Sequence, residues 1–141
     1  MIWDPLRRKN VALTPEESVR QWFIGVLRDE AGVPLSLMRS EVAFTFGEEI
    51  GGLAGAKKKR YRADIVVYDR ALHPVMTVEC KRPDVDLTEE TARQAMRYNS
   101  VLNVKWLVLT NGNKTMIFHR REDCVFAAES ALPGYDTMTG K

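Results

Sequence analysis

Asp64 and, fifteen positions further on, Glu79 and Lys81 are the residues whose types and spacing could do chemistry together. Each acid sits in a Val- and Ile-rich run, residues 61–69 and 74–81, and such runs read as β-strands. If the two strands form a hairpin around a loop at 70–73, Asp69 lies opposite Pro74 and Asp64 lies opposite Glu79. Directly opposed residues share a sheet face with side chains roughly 5 Å apart, and Lys81, two positions past Glu79, joins them. Cys80 then points to the other face as a small apolar residue. Like charges placed this closely destabilise a sheet unless something neutralises them, and a divalent cation would. Hard carboxylate oxygens favour Mg²⁺, with Mn²⁺ as a substitute, over zinc. Such an ion can polarise a phosphoryl oxygen and activate water, and Lys81 could orient that water or stabilise developing negative charge. The plain alternative is an ordinary cross-strand ion pair on a solvated face. A register slip of one residue would separate the acids.

The elements that must position these residues are legible around them. Thr14-Pro15-Glu16-Glu17 is a helix start, with Thr at the N-cap, Pro at the first helical position and Glu at the third. Val19, Phe23, Val26 and Leu27 follow at helical spacing, and Gly32 and Pro34 end the helix near Glu30. Residues 37–46 alternate Val42, Phe44 and Phe46 and predict a strand. Residues 88–102 predict a second helix with a Thr cap and Glu89 and Glu90 in its first turn. Residues 104–110 are a nearly continuous apolar run, suited to a strand buried on both faces. Asn111-Gly112-Asn113-Lys114 is a hairpin turn, and 115–119 returns as a strand. The helix at 88–102 crosses over, so the Trp106 strand can lie parallel to the Glu79 strand. The expected class is α/β, a mixed central sheet flanked by helices. Residues 47–60, rich in glycine and then lysine, read as a flexible connection. Residues 1–132 are expected to form a single domain and 133–141 a loose tail.

The chain has 141 residues, 45% apolar and 28% charged, which is ordinary for a folded domain and excludes a low-complexity polymer. Its net charge of +2 says little about partners. No apolar stretch reaches the roughly 18 residues a membrane helix needs, and residues 1–10 lack the apolar core of a secretory signal. Two cysteines do not make a disulfide framework, so the cytoplasm is the expected compartment, with no membrane partner.

Trp3-Asp4-Pro5, the run from Ala12 through Gln21, Arg62-Ala63-Asp64-Ile65-Val66-Val67-Tyr68-Asp69, Glu79-Cys80-Lys81-Arg82-Pro83, Arg97-Tyr98-Asn99 and Leu109-Thr110-Asn111-Gly112 together carry a resemblance. The acid–acid–lysine set resembles the PD-(D/E)XK nuclease signature. The fuller set of words resembles the N-terminal nuclease domain of type I restriction enzyme R subunits, and more closely the small stand-alone bacterial proteins related to it, over residues 3 to 120. The resemblance implies a restriction-endonuclease-like αβββαβ core and Mg²⁺-dependent hydrolysis of DNA phosphodiesters. It implies Asp64 and Glu79 as metal ligands and Lys81 as the residue assisting water. It further implies a metal-binding acid on the first helix, for which both Glu16 and Glu17 stand. Glu16 is favoured as nearer the inward face, while Glu17 has a structural job in the helix start. A Gln-x-x-x-Tyr motif matches Gln94 and Tyr98, which share a helix face and would position water and phosphate.

The sequence departs from that pattern by carrying Ala63 where the name-giving proline would be. It also holds no Walker motif, so ATP-driven translocation by this chain is excluded, and a separate motor or specificity protein is an expected partner. Lys58, Lys59, Arg60 and Arg97 are candidate DNA contacts, against the reading of a solvated charge run. A nuclease fold without turnover, binding DNA or protein, is the rival function, and a homodimer is open. Trp3, Trp22 and Trp106 are expected at or near the core.

Overall fold

Two helices sit on opposite faces of a six-stranded mixed sheet, and each helix begins where the sequence supplies a cap. The computed structural model describes the backbone of residues 1–48 and 57–140, and the side chains of all of these but 46–48, 57–59 and 101. In chain order the elements are β1 (Ile2–Asp4), β2 (Lys9–Val11), α1 (Pro15–Asp29), β3 (Met38–Glu48), β4 (Lys57–Tyr68), β5 (Pro74–Cys80), α2 (Glu89–Leu102), β6 (Trp106–Thr110), β7 (Thr115–Arg120), β8 (Phe126–Glu129) and α3 (Tyr135–Met138). A short 3-10 turn, Leu35–Leu37, precedes β3.

The large sheet runs in the order β3-β4-β5-β6-β7-β8, and a two-stranded β1-β2 hairpin lies apart from it. All pairings are antiparallel except β5 with β6, where Met76 pairs with Trp106 and Cys80 with Thr110. The single parallel pair is what the α2 crossover permits. Every residue of β6 is buried, as its unbroken apolar run predicts for a strand covered on both sides.

α1 turns Val19, Phe23, Ile24 and Leu27 onto Ile65, Val67, Met76, Val78, Cys80 and Val108. At about 1.5–3 kcal/mol per fully buried large apolar side chain, this cluster is the main source of stability. Val26, expected on that face, is only partly buried, and Ile24 takes the inner position. α2 covers the other face, with Ala92 and Ala95 against Leu107, Leu109 and Phe118. The last turn of α2 ends at Asn103 in the left-handed region, φ 57°, which asparagine tolerates.

The structure corrects several expectations. Residues 47–60 are not simply a connection: β3 runs to Glu48 and β4 begins at Lys57, while 49–56 lie outside the described residues. The expected tail carries α3, whose Tyr135 and Met138 are buried against the α1 side of the sheet. The Tyr135 hydroxyl donates to the Tyr68 carbonyl at 2.8 Å, and the Tyr135 backbone N–H donates to the Ala31 carbonyl at 2.8 Å. Trp3 and Trp22 are exposed, at 57% and 48%, and Trp106 alone of the three tryptophans is core. Among the described residues no helix is long and apolar enough to cross a membrane.

Candidate active site at the fork between β4 and β5

The β4–β5 ladder pairs Ile65 with Val78, Val66 with Thr77 and Val67 with Met76. This is the register that sets Asp64 level with Glu79. The turn end differs from the expected closure, because Tyr68, not Asp69, pairs with Pro74, and a bulge beside Val67 absorbs the difference. Past Ile65 the two strands part. β4 continues with β3 alone, and Asp64 stands at the fork.

The strand is irregular there. Ala63 and Val66 both face the cluster beside α2, so the simple alternation breaks between them. On β3 the pairing steps from Ser40–Ile65 to Val42–Ala63, and Glu41, between them, has φ 55°. This conformation is uncommon for a residue other than glycine or asparagine. The kink changes where Asp64 points. Its Oδ2 accepts the Cys80 backbone N–H at 2.8 Å, and its Oδ1 lies 3.6 Å from the Arg20 guanidinium. The two acids therefore do not stand side by side on one flat face. Asp64 reaches across the gap left by the missing ladder bond, close enough that its charge acts on Glu79.

Glu79 and Lys81 flank Cys80, whose side chain is buried in the α1-side core. Lys81 Nζ is 3.7 Å from Glu79 Oε1. The Lys81 backbone N–H donates to the Thr110 carbonyl at 2.8 Å, and this fixes the strand end against β6. Asn111 braces the following loop: its Nδ2 donates to the Val85 carbonyl at 2.8 Å, while its Oδ1 accepts the N–H groups of Asn113 and Lys114.

Glu79 and Lys81 open into a cavity of about 200 Å³ that Gln94, Tyr98, Arg60 and Arg62 also line. Gln94, exposed, and Tyr98, half-buried, lie on the flank of α2 that borders the cavity. Tyr98 stacks on Tyr61 with ring centroids 4.7 Å apart and planes 8° from parallel. Beneath them Asn99 is fully buried; it accepts the Thr77 hydroxyl at 2.5 Å and donates to the Ala95 carbonyl at 2.9 Å. α2 is thereby tied to the strand that carries Glu79. Arg97, a candidate DNA contact, lies on another surface with Glu90, Arg93 and Met96 and is not among the residues that line this cavity. Lys58 and Lys59 are on β4, and their side chains lie outside the described residues.

The two helix acids separate clearly. Glu17 is buried and engaged: Arg7 Nη2 donates to it at 2.5 Å and Gln21 Nε2 at 3.0 Å, with Arg20 Nε at 3.5 Å. Its backbone N–H donates to Thr14 Oγ1 at 3.1 Å, so half of the expected capping box forms, and the Glu17 carboxylate turns to Arg7 instead. Glu16 is half-buried, and its charge acts on both Asp64 and Glu79.

Burial pushes both site carboxyls above their ordinary range. For Asp64 the Glu16 charge adds to the rise, while the Cys80 N–H, Arg20 and Lys81 oppose it. For Glu79 the charges of Asp64 and Glu16 add, and Lys81 opposes. Burial also keeps the Cys80 thiol protonated, so it is no nucleophile.

Arg20 was not singled out from the sequence, yet it is the hub of this region. It is 5% exposed and lies 3.4–3.6 Å from Glu17, Glu41 and Asp64. Arg7 extends the network to Glu41 and to Asp4, which is fully buried. The signal was a charged residue between Val19 and Phe23 on the buried stripe of α1, three positions from Glu17. Its partners, on β3 and β4, could not be read locally.

The fit to a divalent ion follows from these contacts. Four carboxylates, Asp4, Glu17, Glu41 and Asp64, share two guanidinium groups, and Glu16 and Glu79 add to the negative side. Among the described residues no three His, Cys, Asp or Glu side chains gather closely enough to cage an ion. Glu79 is the carboxylate that lines the cavity, with Asp64 at the strand fork beside it; one or two carboxylates of this kind suit Mg²⁺, which keeps several waters and takes the rest of its ligands from substrate phosphates.

The family model for the type I restriction enzyme R protein N terminus matches residues 15–133. No curated protein matches the chain. A solved structure described as a fragment of an HsdR subunit of a type I restriction enzyme from Vibrio vulnificus YJ016 is similar in fold. Its TM-score is 0.64 at 21% identity, over 93% of this chain and 25% of that one. The chain thus spans about a quarter of the length of that relative.

Proposed function

The chain belongs to the family of type I restriction enzyme R protein N termini, and from that premise we propose that it is a Mg²⁺-dependent deoxyribonuclease domain. The observation that carries this reading is the meeting of Asp64 with the Glu79-Cys80-Lys81 strand end, beside an open cavity, with both carboxyls pushed upward by burial. Asp64 and Glu79 would hold Mg²⁺, or Mn²⁺ in its place, with Glu16 as the outer acid. The ion would supply Lewis-acid polarisation of a phosphoryl oxygen and a lowered water pKa.

The chain's own groups have separate work. Lys81 Nζ, held at Glu79, presents a proton and a positive charge to an oxygen gaining negative charge. Gln94 offers one donor and one acceptor from α2 to orient water or phosphate. Tyr98, with Arg60, Lys58 and Lys59 on β4, would contact the DNA backbone. A motor or specificity protein would deliver the DNA, in keeping with the restriction-enzyme R protein family to which the chain belongs.

The test is titration calorimetry with Mg²⁺ and Mn²⁺ on wild type and Glu79→Ala, followed by incubation with linear, circular and single-stranded DNA. Metal binding and cleavage confined to wild type are expected. Unchanged metal binding and cleavage in Glu79→Ala would overturn the assignment. One observation favours a second reading. Asp64 already has Arg20 and Glu79 already has Lys81 as cationic partners, so a nuclease fold that binds DNA without turnover is consistent with the charges. Salt-dependent DNA binding with no metal-dependent cleavage by wild type would select it.

A further inference from the structure

β4 pairs with β5 only from Ile65 to Tyr68, whereas its pairing with β3 runs from Val67 to Lys57. Residues 57–64 therefore form, with β3, a two-stranded ribbon that runs past the sheet for about 27 Å at 3.4 Å per residue. Its sequence is Lys57-Lys58-Lys59-Arg60-Tyr61-Arg62-Ala63-Asp64. Arg60 lies opposite Thr45 and Arg62 opposite Ala43; Lys58, at the next alternate position, lies opposite Gly47. Small or neutral residues thus face every one of these cations across the ribbon. Arg60 and Arg62 are exposed, and among the described residues neither has a carboxylate partner. Both line the cavity that Glu79 and Lys81 open into.

We propose that Arg62 and Arg60 form a rail that holds the phosphate backbone of one nucleic-acid strand and leads it into the Glu79–Lys81 cavity. Alternate positions on a strand repeat every ~6.8 Å, about two of the ~3.4 Å axial steps between successive phosphates of one duplex strand. An extended protein strand with a cation at every second position therefore keeps step with an extended polyanion. Arginine adds a planar fork suited to two phosphate oxygens at once. The rail assigns Arg62 a role that the Asp64 motif alone does not. Recognition of this kind reads the backbone and not the bases, so binding is expected to be indifferent to sequence. The inference rests on the nuclease reading for what happens at the end of the rail, and its binding step can be measured separately.

The experiment is fluorescence anisotropy with a short labelled DNA strand and with its duplex, in EDTA, over a series of salt concentrations. The proteins are wild type, Arg60→Gln/Arg62→Gln, Arg60→Lys/Arg62→Lys, and the control Lys105→Gln/Arg121→Gln, which removes the same charge from another surface. The Gln pair is expected to bind roughly tenfold more weakly at low salt and to flatten the slope of log affinity against log salt by about 1.4–1.8, two contacts' worth. The Lys pair is expected to keep most of the slope, and the control to keep all of it. A larger loss on the single strand, or on the duplex, would name the form in which the strand is presented, and either supports the rail. An unchanged slope in the Gln pair, an equal loss in the control, or no DNA binding by wild type would overturn it. Wild-type binding that depends on Arg60 and Arg62 without any cleavage in Mg²⁺ would instead overturn the nuclease reading and leave the rail standing.

Discussion

Replacing Arg20 with methionine removes the one cation that Asp64, Glu17 and Glu41 share. The three acids would feel this unequally. Glu17 keeps Arg7 at 2.5 Å and Gln21 at 3.0 Å, and Glu41 keeps Arg7 at 3.6 Å with a side chain 38% exposed to water. The loss falls on Asp64, which is 18% exposed and, among the described residues, retains the Cys80 N–H as its close partner. Removing one partner of a buried pair typically destabilises by about 3–5 kcal/mol. Part of that is returned here, because Arg20 Nε and Nη1 are buried without hydrogen bonds and their desolvation penalty disappears with them. We expect a net loss of about 2–3 kcal/mol at neutral pH. The pH dependence has a definite sign. Burial already lifts the Asp64 pKa in the folded state, so the ionised carboxylate opposes folding above that pKa, and protonation relieves it. Without Arg20 the rise is larger. The difference between variant and wild type should thus be greatest at neutral pH and shrink as pH falls towards the ordinary carboxylate range. Urea unfolding followed by tryptophan fluorescence at several pH values measures it directly. A loss under about 0.5 kcal/mol that does not change with pH would refute the reasoning, and would mean that the Cys80 N–H alone sets Asp64.

Three other outcomes follow from the same geometry. Asn99→Ala removes the hydrogen bond that ties α2 to Thr77, together with one inside the helix to the Ala95 carbonyl, and strands a buried hydroxyl, so a loss of about 1–3 kcal/mol is expected in urea unfolding; no change would mean that water replaces the amide. Leu27→Ala empties a fully buried position under the sheet and should lose about 2–5 kcal/mol while leaving calorimetric Mn²⁺ binding intact; loss of the ion with retained stability would contradict the separation of core from site. Because Asp64 and Glu79 both titrate above their ordinary values of 3.8 and 4.5, protons should displace Mn²⁺ at a higher pH than from an exposed carboxylate pair, and an affinity flat down to pH 4.5 would argue against these two ligands.

The parts of this molecule that follow short-range rules could be read in advance. Thr14 and Thr88 cap the helices they precede, β6 is buried on both faces, and the β5–β6 parallel pair follows from the α2 crossover. The β4–β5 register was also legible over Ile65 to Val67, although the bulge at Val67 and Tyr68 means that the loop closes differently from the simple hairpin, and Asp64 does not share a face with Glu79 as expected. Illegible features depend on contacts distant in sequence. β1 and β2 have three residues each, too few to show a period. Arg20 looks like a solubilising residue until β3 and β4 bring Glu41 and Asp64 to it. The Glu41 kink, which turns Asp64 from Glu79's flat face towards Cys80, leaves no trace in residue type. Glycine and lysine masked the ribbon, because both composition cues favour loops, whereas β3 supplies partners for every residue from Lys57 to Ala63.

The docking of both chain ends has a practical side. The recognisable family segment begins at Pro15 and stops at Pro133. A fragment cropped to those limits would discard Arg7, the principal counter-ion of Glu17, and the fully buried Asp4 that steadies it. It would equally discard Tyr135 and Met138, which plug the floor of the α1-side core. The matched segment is therefore shorter than the stretch that pairs Glu17 with Arg7 and closes the α1-side core with Tyr135 and Met138, and an expression clone drawn from it would lack both sets of contacts.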